Sequence, residues 1–111
     1  MTVTRVVIDD LRTHADGGIH LRSSRTALEW FASHPNEAIL ELWLDHDLGG
    51  DDTTMPVVNL LEELCFNGTP RDIGTIYVHT ANPVGGDQIM SSRLLRENYR
   101  LLRVGLSNFL P

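Results

Sequence analysis

Three short apolar runs in this sequence are each followed at once by acidic, imidazole or hydroxyl side chains. The three groups are Asp9-Asp10 after residues 2–8, Asp45-His46-Asp47 after residues 39–44, and His79-Thr80 with Asn82 after residues 73–78. If the runs are parallel strands of one sheet, their carboxyl ends meet at one edge, where open α/β sheets bind ligands. We therefore predict that the three groups form one site.

The acidic members of this predicted site indicate a cation. Acidic side chains at one sheet edge repel one another unless a positive charge lies between them, and Mg²⁺ takes oxygen ligands while keeping waters for a phosphate. We predict Asp9, Asp10 and Asp45 as ligands of a divalent cation such as Mg²⁺. Arg12 follows the first acidic pair, and its planar guanidinium suits a phosphate.

The histidines of the predicted site indicate acid–base chemistry. One imidazole would take a proton from the attacking group, and the other would give a proton to the leaving oxygen. We assign these catalytic roles to His46 and His79, beside Asp45. Two glycines ahead of a predicted helix are expected to leave backbone N–H groups free for an anion. The full predicted set of substrate contacts is Arg12, Asp47, Thr80, Asn82, Gly85 and Gly86.

Each of these residues also has a plainer interpretation. An acidic pair after a strand often caps the next turn, Asp47 can shape the turn before Gly49, and His79 can be a structural imidazole at a strand end. His14, in a predicted loop, is expected to be solvated, and Trp43 is expected to be a packing residue. The joint occurrence of the polar groups at three strand ends is the stronger signal.

The elements that must position these residues alternate between strand and helix. Predicted strands cover residues 2–8, 19–22, 39–44, 73–78 and 101–104, and predicted helices cover about 24–33, 54–66 and 87–98. This order predicts an α/β, three-layer, flavodoxin-like sandwich with a mostly parallel five-stranded sheet and about three helices. The interval between the first two strands is too short for a full helix and is predicted to be a loop.

Composition narrows the class of protein. The 111 residues predict a single domain over residues 1–111. The net charge of -6 and the lack of a basic stripe argue against duplex nucleic acid as a partner. No apolar run approaches the ~18–20 residues that span a membrane. The single cysteine, Cys65, cannot form an internal disulfide, which favours a cytoplasmic setting.

The strand ends carry a resemblance to known domains. Val7-Ile8-Asp9-Asp10, Leu44-Asp45 and Val78-His79-Thr80-Ala81 resemble the strand ends of response-regulator receiver domains. That resemblance implies Mg²⁺ bound by the aspartates, with Asp45 at the phosphoacceptor position and Thr80 at the switch hydroxyl. Receiver domains also place a lysine after the fifth strand, whereas all nine cationic residues here are arginines.

Longer strings are similar to one branch of that fold, the cyclic-phosphate processing receiver-like family. The strings are Ile8-Asp9-Asp10-Leu11-Arg12, residues 44–49 and residues 78–85, and the resemblance extends over about residues 5–95. It implies a receiver-like fold that processes cyclic phosphates, in nucleotide signalling, conflict systems or RNA end metabolism.

These observations lead to one main hypothesis and two alternatives. The main hypothesis is a metal-assisted phosphoesterase acting on a cyclic nucleotide or a cyclic-phosphate RNA end. The first alternative is a receiver-like module that binds a nucleotide or a protein partner without chemistry. The second is a receiver that accepts phosphate on Asp45.

Overall fold

The sheet of this protein has five strands, and every neighbouring pair is parallel. A computed structural model describes residues 1–111. The strands are β1 (Thr2–Ile8), β2 (Ile19–Leu21), β3 (Ala38–Leu44), β4 (Ile73–Val78) and β5 (Arg100–Arg103), in the spatial order β2-β1-β3-β4-β5. The helices are α1 (Ser24–Ser33), α2 (Met55–Phe66), α3 (Pro83–Met90) and α4 (Arg93–Asn98). The predicted α/β, receiver-like fold is confirmed.

The strands that lead to the predicted site are buried at their carboxyl halves. Val6, Val7 and Ile8 are fully buried at the end of β1, and Leu42, Trp43 and Leu44 are buried at the end of β3. Residues on both faces of these strands are covered, as is usual for parallel sheets. The strand ends are therefore held rigidly, and the polar residues that follow them start from fixed positions.

The two faces of the sheet are covered differently. All four helices contribute side chains to the larger hydrophobic cluster, and the smaller cluster on the opposite face consists of Val7, Trp43 and Phe109. On that face the predicted loop after β1 pairs with the C-terminal segment. Ala15 N donates to Asn108 O at 2.8 Å, and Leu110 N donates to Thr13 O at 2.9 Å. The third layer of the sandwich is thus irregular chain rather than helix.

The expectation that His14 is solvated is wrong. Its side chain is buried between Trp43 and Phe109, with ring centroids 4.5 Å and 5.3 Å away. The contact with Phe109 joins residues far apart in the sequence, which no local pattern indicates. Trp43 is a packing residue, as predicted, and is also buried.

The predicted helix over about 87–98 is two helices, which brings the helix count to four. Asn82 caps α3 by accepting a hydrogen bond from Gly85 N, and Pro83 occupies the first turn. Ser92 then caps α4 by accepting from Leu95 N. Asparagine followed by proline is a strong helix start, so the helix begins at Pro83, four residues before the predicted start. None of the helices has the length and apolar character needed to cross a membrane.

Candidate functional site

The register of the sheet aligns the first residues after β1, β3 and β4. Ile8 pairs with Leu44, and Leu44 pairs with Val78. The next residues along the three strands are Asp9, Asp45 and His79, and they lie side by side in one row. Asp45 N donates to Ile8 O, and His79 N donates to Leu44 O, both at 3.0 Å. The predicted convergence of the three strand ends is therefore found in the structure.

Asp9 is the most enclosed carboxylate of this row. Its side chain is fully buried. Oδ1 accepts from the backbone amides of Leu11 at 2.9 Å and Arg12 at 2.8 Å, and Oδ2 accepts from His79 Nε2 at 3.0 Å. Burial acts to raise the pKa of Asp9, but the hydrogen bonds from His79 and the two amides outweigh it and lower the pKa to about 2. Asp9 is thus ionised at neutral pH.

Three carboxylates form a compact acidic cluster at this edge. One ligand oxygen from each of Asp9, Asp10 and Asp45 lies within 4.8 Å of the others. Arg12 Nη1 lies 3.2 Å from Asp45 Oδ2 and 3.5 Å from Asp9 Oδ2. Burial, together with the charge of Asp9, raises the pKa of Asp45. One guanidinium does not balance three carboxylates, and an all-oxygen set at this spacing fits a hard divalent cation such as Mg²⁺.

An open cavity of about 260 Å³ lies above this cluster, and we call it the acidic cleft. Most of the polar residues predicted from the sequence line it. The full lining is Asp10, Leu11, Arg12, Asp45, Asp47, Gly49, Thr80, Ala81 and Asn82. Asn82 Nδ2 also donates to Asp47 Oδ2 at 3.1 Å. The cleft therefore offers carboxylates, one guanidinium, a hydroxyl and an amide to a ligand.

His46 lies behind the acidic cleft rather than in its lining. Its Nδ1 is 2.8 Å from Asp47 Oδ1, and its Nε2 is 3.1 Å from Gln88 Oε1. The hydrogen bond with His46 lowers the pKa of Asp47, and the bond from Asn82 adds to this effect. His46 therefore reaches the cleft through Asp47, whose side chain is 59% exposed.

His79 is fully buried on the other side of the row. Its Nε2 faces Asp9, its Nδ1 has no hydrogen-bond partner, and its ring stacks on Phe109 at a centroid distance of 4.2 Å. The His79 side chain lies on the same face of the sheet as Trp43, whereas the His46 side chain lies on the opposite face, because side chains alternate along a strand. The structure does not bring the two histidines together, and each is paired with its own aspartate.

The backbone amides of Gly85 and Gly86 are not free, contrary to expectation. Gly85 N donates to Asn82 Oδ1 at 3.0 Å, and Gly86 N donates to Asn82 O at 2.9 Å. The two glycines instead allow close packing. A Cβ on Gly85 would overlap the His46 ring, and a Cβ on Gly86 would lie 2.5 Å from Arg103 Nη2.

Three residues near the site are absent from the predicted set. Gln88 faces His46, Phe109 covers His79, and Arg103, at the end of β5, donates to Pro83 O and to the Asp87 carboxylate. Gln88 and Phe109 carry no sequence signal, because neither lies at a strand end. Arg103 could have been found, since the end of the fifth strand belongs to the same sheet edge.

Comparison with known proteins agrees with this geometry. The family model described as cyclic-phosphate processing receiver domain matches residues 4–94. That range includes every site residue predicted from the sequence. No curated protein and no solved structure gives a significant match. Since the family model matches most of the 111 residues, the chain belongs to the cyclic-phosphate processing receiver domain family.

Proposed function

We propose that this domain is a metal-assisted phosphoesterase that opens a cyclic phosphate, either in a cyclic nucleotide or at an RNA end. The observation that carries the proposal is the acidic cleft, in which three carboxylates lie within 4.8 Å of one another beside Arg12. The family's name connects the domain with cyclic-phosphate processing.

Charge balance supports a role for the cation in binding phosphate. Asp9, Asp10 and Asp45 carry three negative charges against the single positive charge of Arg12, so the cleft alone repels an anion. A divalent cation held by the three carboxylates would bring the cluster to neutrality. When bound, such an ion polarises a phosphoryl oxygen as a Lewis acid. Arg12, Thr80 and Asn82 would then contact the phosphate oxygens.

Proton transfer is assigned to the Asp47–His46 pair. In the proposed reaction, water adds to phosphorus and loses a proton to Asp47, one ring P–O bond breaks, and the leaving oxygen takes up a proton, so the cyclic diester becomes a phosphomonoester with a free hydroxyl. Asp47 lines the cleft and would contact the attacking water. His46, 2.8 Å behind it, would take up the proton that Asp47 removes from the water. A general base must lie within hydrogen-bond reach of the proton it takes.

His79 has a different proposed role from His46. Its full burial keeps it from a ligand in the acidic cleft, so we revise its expected acid–base role to positioning Asp9. Through Nε2 it orients the Asp9 carboxylate, much as outer-shell partners orient metal ligands.

A non-catalytic binding module is the second candidate. The observation that favours it is that no unpaired imidazole nitrogen faces the cleft, since both His46 nitrogens have partners and His79 is buried. In that case the same cleft would capture a cyclic phosphate and release it unchanged.

A turnover screen tests the proposal and separates the two candidates. The purified protein, with Mg²⁺ or with EDTA, is incubated with nucleoside 2′,3′- and 3′,5′-cyclic phosphates, cyclic dinucleotides and RNA bearing a 2′,3′-cyclic end. We expect Mg²⁺-dependent ring opening of at least one of them. Asp10→Asn should lower the rate by about 100-fold, a typical cost of losing one group that stabilises developing charge.

The matched control is Asp51→Asn, since Asp51 is exposed and lies outside the acidic cleft. The control should leave the rate unchanged. Tight, Mg²⁺-dependent binding with every ligand recovered intact would favour the binding module. The absence of both turnover and binding across the whole panel would refute the proposed function.

A further inference from the structure

A second cavity adjoins the acidic cleft, and we call it the apolar cavity. Its volume is about 750 Å³, and it shares Leu11 and Arg12 with the acidic cleft. The remaining lining comes from Thr13 and from Leu106, Phe109, Leu110 and Pro111. A ligand bound in the acidic cleft can therefore extend directly into the apolar cavity across the backbone of residues 11 and 12.

The C-terminal segment that forms one wall of this cavity is held in place by backbone hydrogen bonds. These are the bonds between residues 13–15 and 108–110, together with a β-bridge between His14 and Phe109. The family model ends at residue 94, so this wall lies outside the family match. The cavity is thus a feature of this chain in addition to the shared site.

Two leucine side chains that line the apolar cavity are exposed to solvent rather than packed in the core. Leu11 is 80% exposed and Leu110 is 54% exposed, and both line the apolar cavity. Clustered apolar exposure at a cavity is typical of a binding surface. Arg12 is the only charged residue of the lining, and it is already paired with Asp45 and Asp9. The cavity therefore suits a neutral group better than a second phosphate.

We propose that the apolar cavity is the base subsite for a nucleoside cyclic phosphate whose phosphate lies in the acidic cleft. This inference rests on the proposed function. It narrows the proposed substrates to cyclic phosphates of single nucleosides or of RNA ends, and it disfavours ligands that carry two phosphates close together. The volume lies in the range of about 300–1,000 Å³ typical of small-molecule sites. Leu11 and Leu110 supply apolar contact to the base, and the Thr13 hydroxyl is the one uncharged polar side chain available to its edge.

The test compares two ligands with the same phosphate ring. The probes are adenosine 2′,3′-cyclic phosphate and ethylene glycol cyclic phosphate, which lacks sugar and base, each with Mg²⁺. The readout is kcat/KM, or Kd for a ligand that returns intact. We expect a preference for the adenosine ligand of at least about 10-fold. Leu11→Ala and Leu110→Ala should each weaken the adenosine ligand by about fivefold, from ~40 Å² of lost apolar contact. Leu110→Ala, whose residue lies outside the acidic cleft, should leave the base-free ligand unchanged.

Two exposed residues elsewhere give matched controls. Phe66 is 80% exposed, like Leu11, and Leu40 is 53% exposed, close to Leu110. Phe66→Ala and Leu40→Ala should leave both ligands unchanged, and thermal unfolding of every variant checks the fold. Equal use of the two ligands by the original protein, or no effect of the Leu11 and Leu110 variants, would overturn the base subsite alone. Failure of the original protein to bind or open either ligand would also overturn the subsite, whereas the proposed function is refuted only by failure across the whole panel of cyclic phosphates.

Discussion

Replacement of His79 by leucine tests the coupling between the buried row and the acidic cleft. His79 donates from Nε2 to the ionised Asp9 at 3.0 Å, and both side chains are fully buried. Leucine fills a similar volume against Phe109 but has no donor. His79→Leu therefore removes one charge-assisted hydrogen bond and leaves most of the packing in place.

The size of the effect follows from two opposing contributions. A hydrogen bond to a charged group is worth about 1.5–3 kcal/mol. The substitution also removes the unpartnered Nδ1 atom, whose burial costs roughly 1 kcal/mol. We expect the free energy of unfolding to fall by about 1 kcal/mol, which lowers Tm by roughly 4 °C for a domain of this size. The pKa of Asp9 should rise in the variant, because burial then acts with one fewer opposing bond.

The assay is urea unfolding at neutral pH, with carboxyl-detected NMR for the pKa of Asp9. His79→Gln is the matched variant, because its side-chain amide can donate toward Asp9, and it should lose less stability than His79→Leu. A loss below about 0.5 kcal/mol for His79→Leu, within the range of an ordinary surface substitution, would refute the reasoning. Equal losses for the two variants would refute it as well, since the donor would then be irrelevant.

Two further predictions concern the same edge of the sheet. The pKa of Asp9 is about 2 in the folded protein, against ~3.9 in the unfolded chain. The ionised carboxylate therefore contributes roughly 2.5 kcal/mol to stability above about pH 4, and this contribution is lost as the pH falls through 2. Asp9→Asn should reduce the loss of stability at acidic pH in unfolding curves, and an unchanged pH dependence would contradict the low pKa of Asp9. Gly49 has φ +90° and a Cβ there would lie 3.0 Å from Asp10 Oδ2, so Gly49→Ala should cost about 1–3 kcal/mol and weaken Mg²⁺ binding in a calorimetric titration. Gly50→Ala, at φ +55° with open space around it, should show strain alone, and an equal loss of Mg²⁺ affinity in both variants would contradict a role for Asp10.

The sheet edge is the part of the site that the sequence predicts well. Parallel strands end at a common edge, so Asp9, Asp45 and His79 could be assigned to one row from three short apolar runs. The alternation of side chains along a strand carries further information, because it places His46 on the opposite face of the sheet from Asp45. That separation argues against a shared acid–base role for the two histidines, and it already follows from the strand ends predicted from the sequence.

Two features were not predicted from the sequence, for different reasons. Phe109 reaches the smaller cluster from the far end of the chain and buries the His14 side chain, and no short window of sequence contains that contact. The amides of Gly85 and Gly86 are occupied because Asn82 starts the helix before the glycines. That second partner is local, so the asparagine–proline pair could have indicated it.

The fifth strand and the segment after it have a consequence for fragments of this protein. Residues 4–94, which match the family, exclude β5 and Phe109. A fragment with those limits would expose the backbone groups of residues 75–78 of β4, which pair with β5, and would uncover the Trp43 and His79 rings. An unprotected, flat strand edge beside apolar surface is a template for intermolecular pairing. The boundary that defines the family is therefore expected to give an aggregating polypeptide, whereas a boundary beyond Leu110 keeps the edge paired.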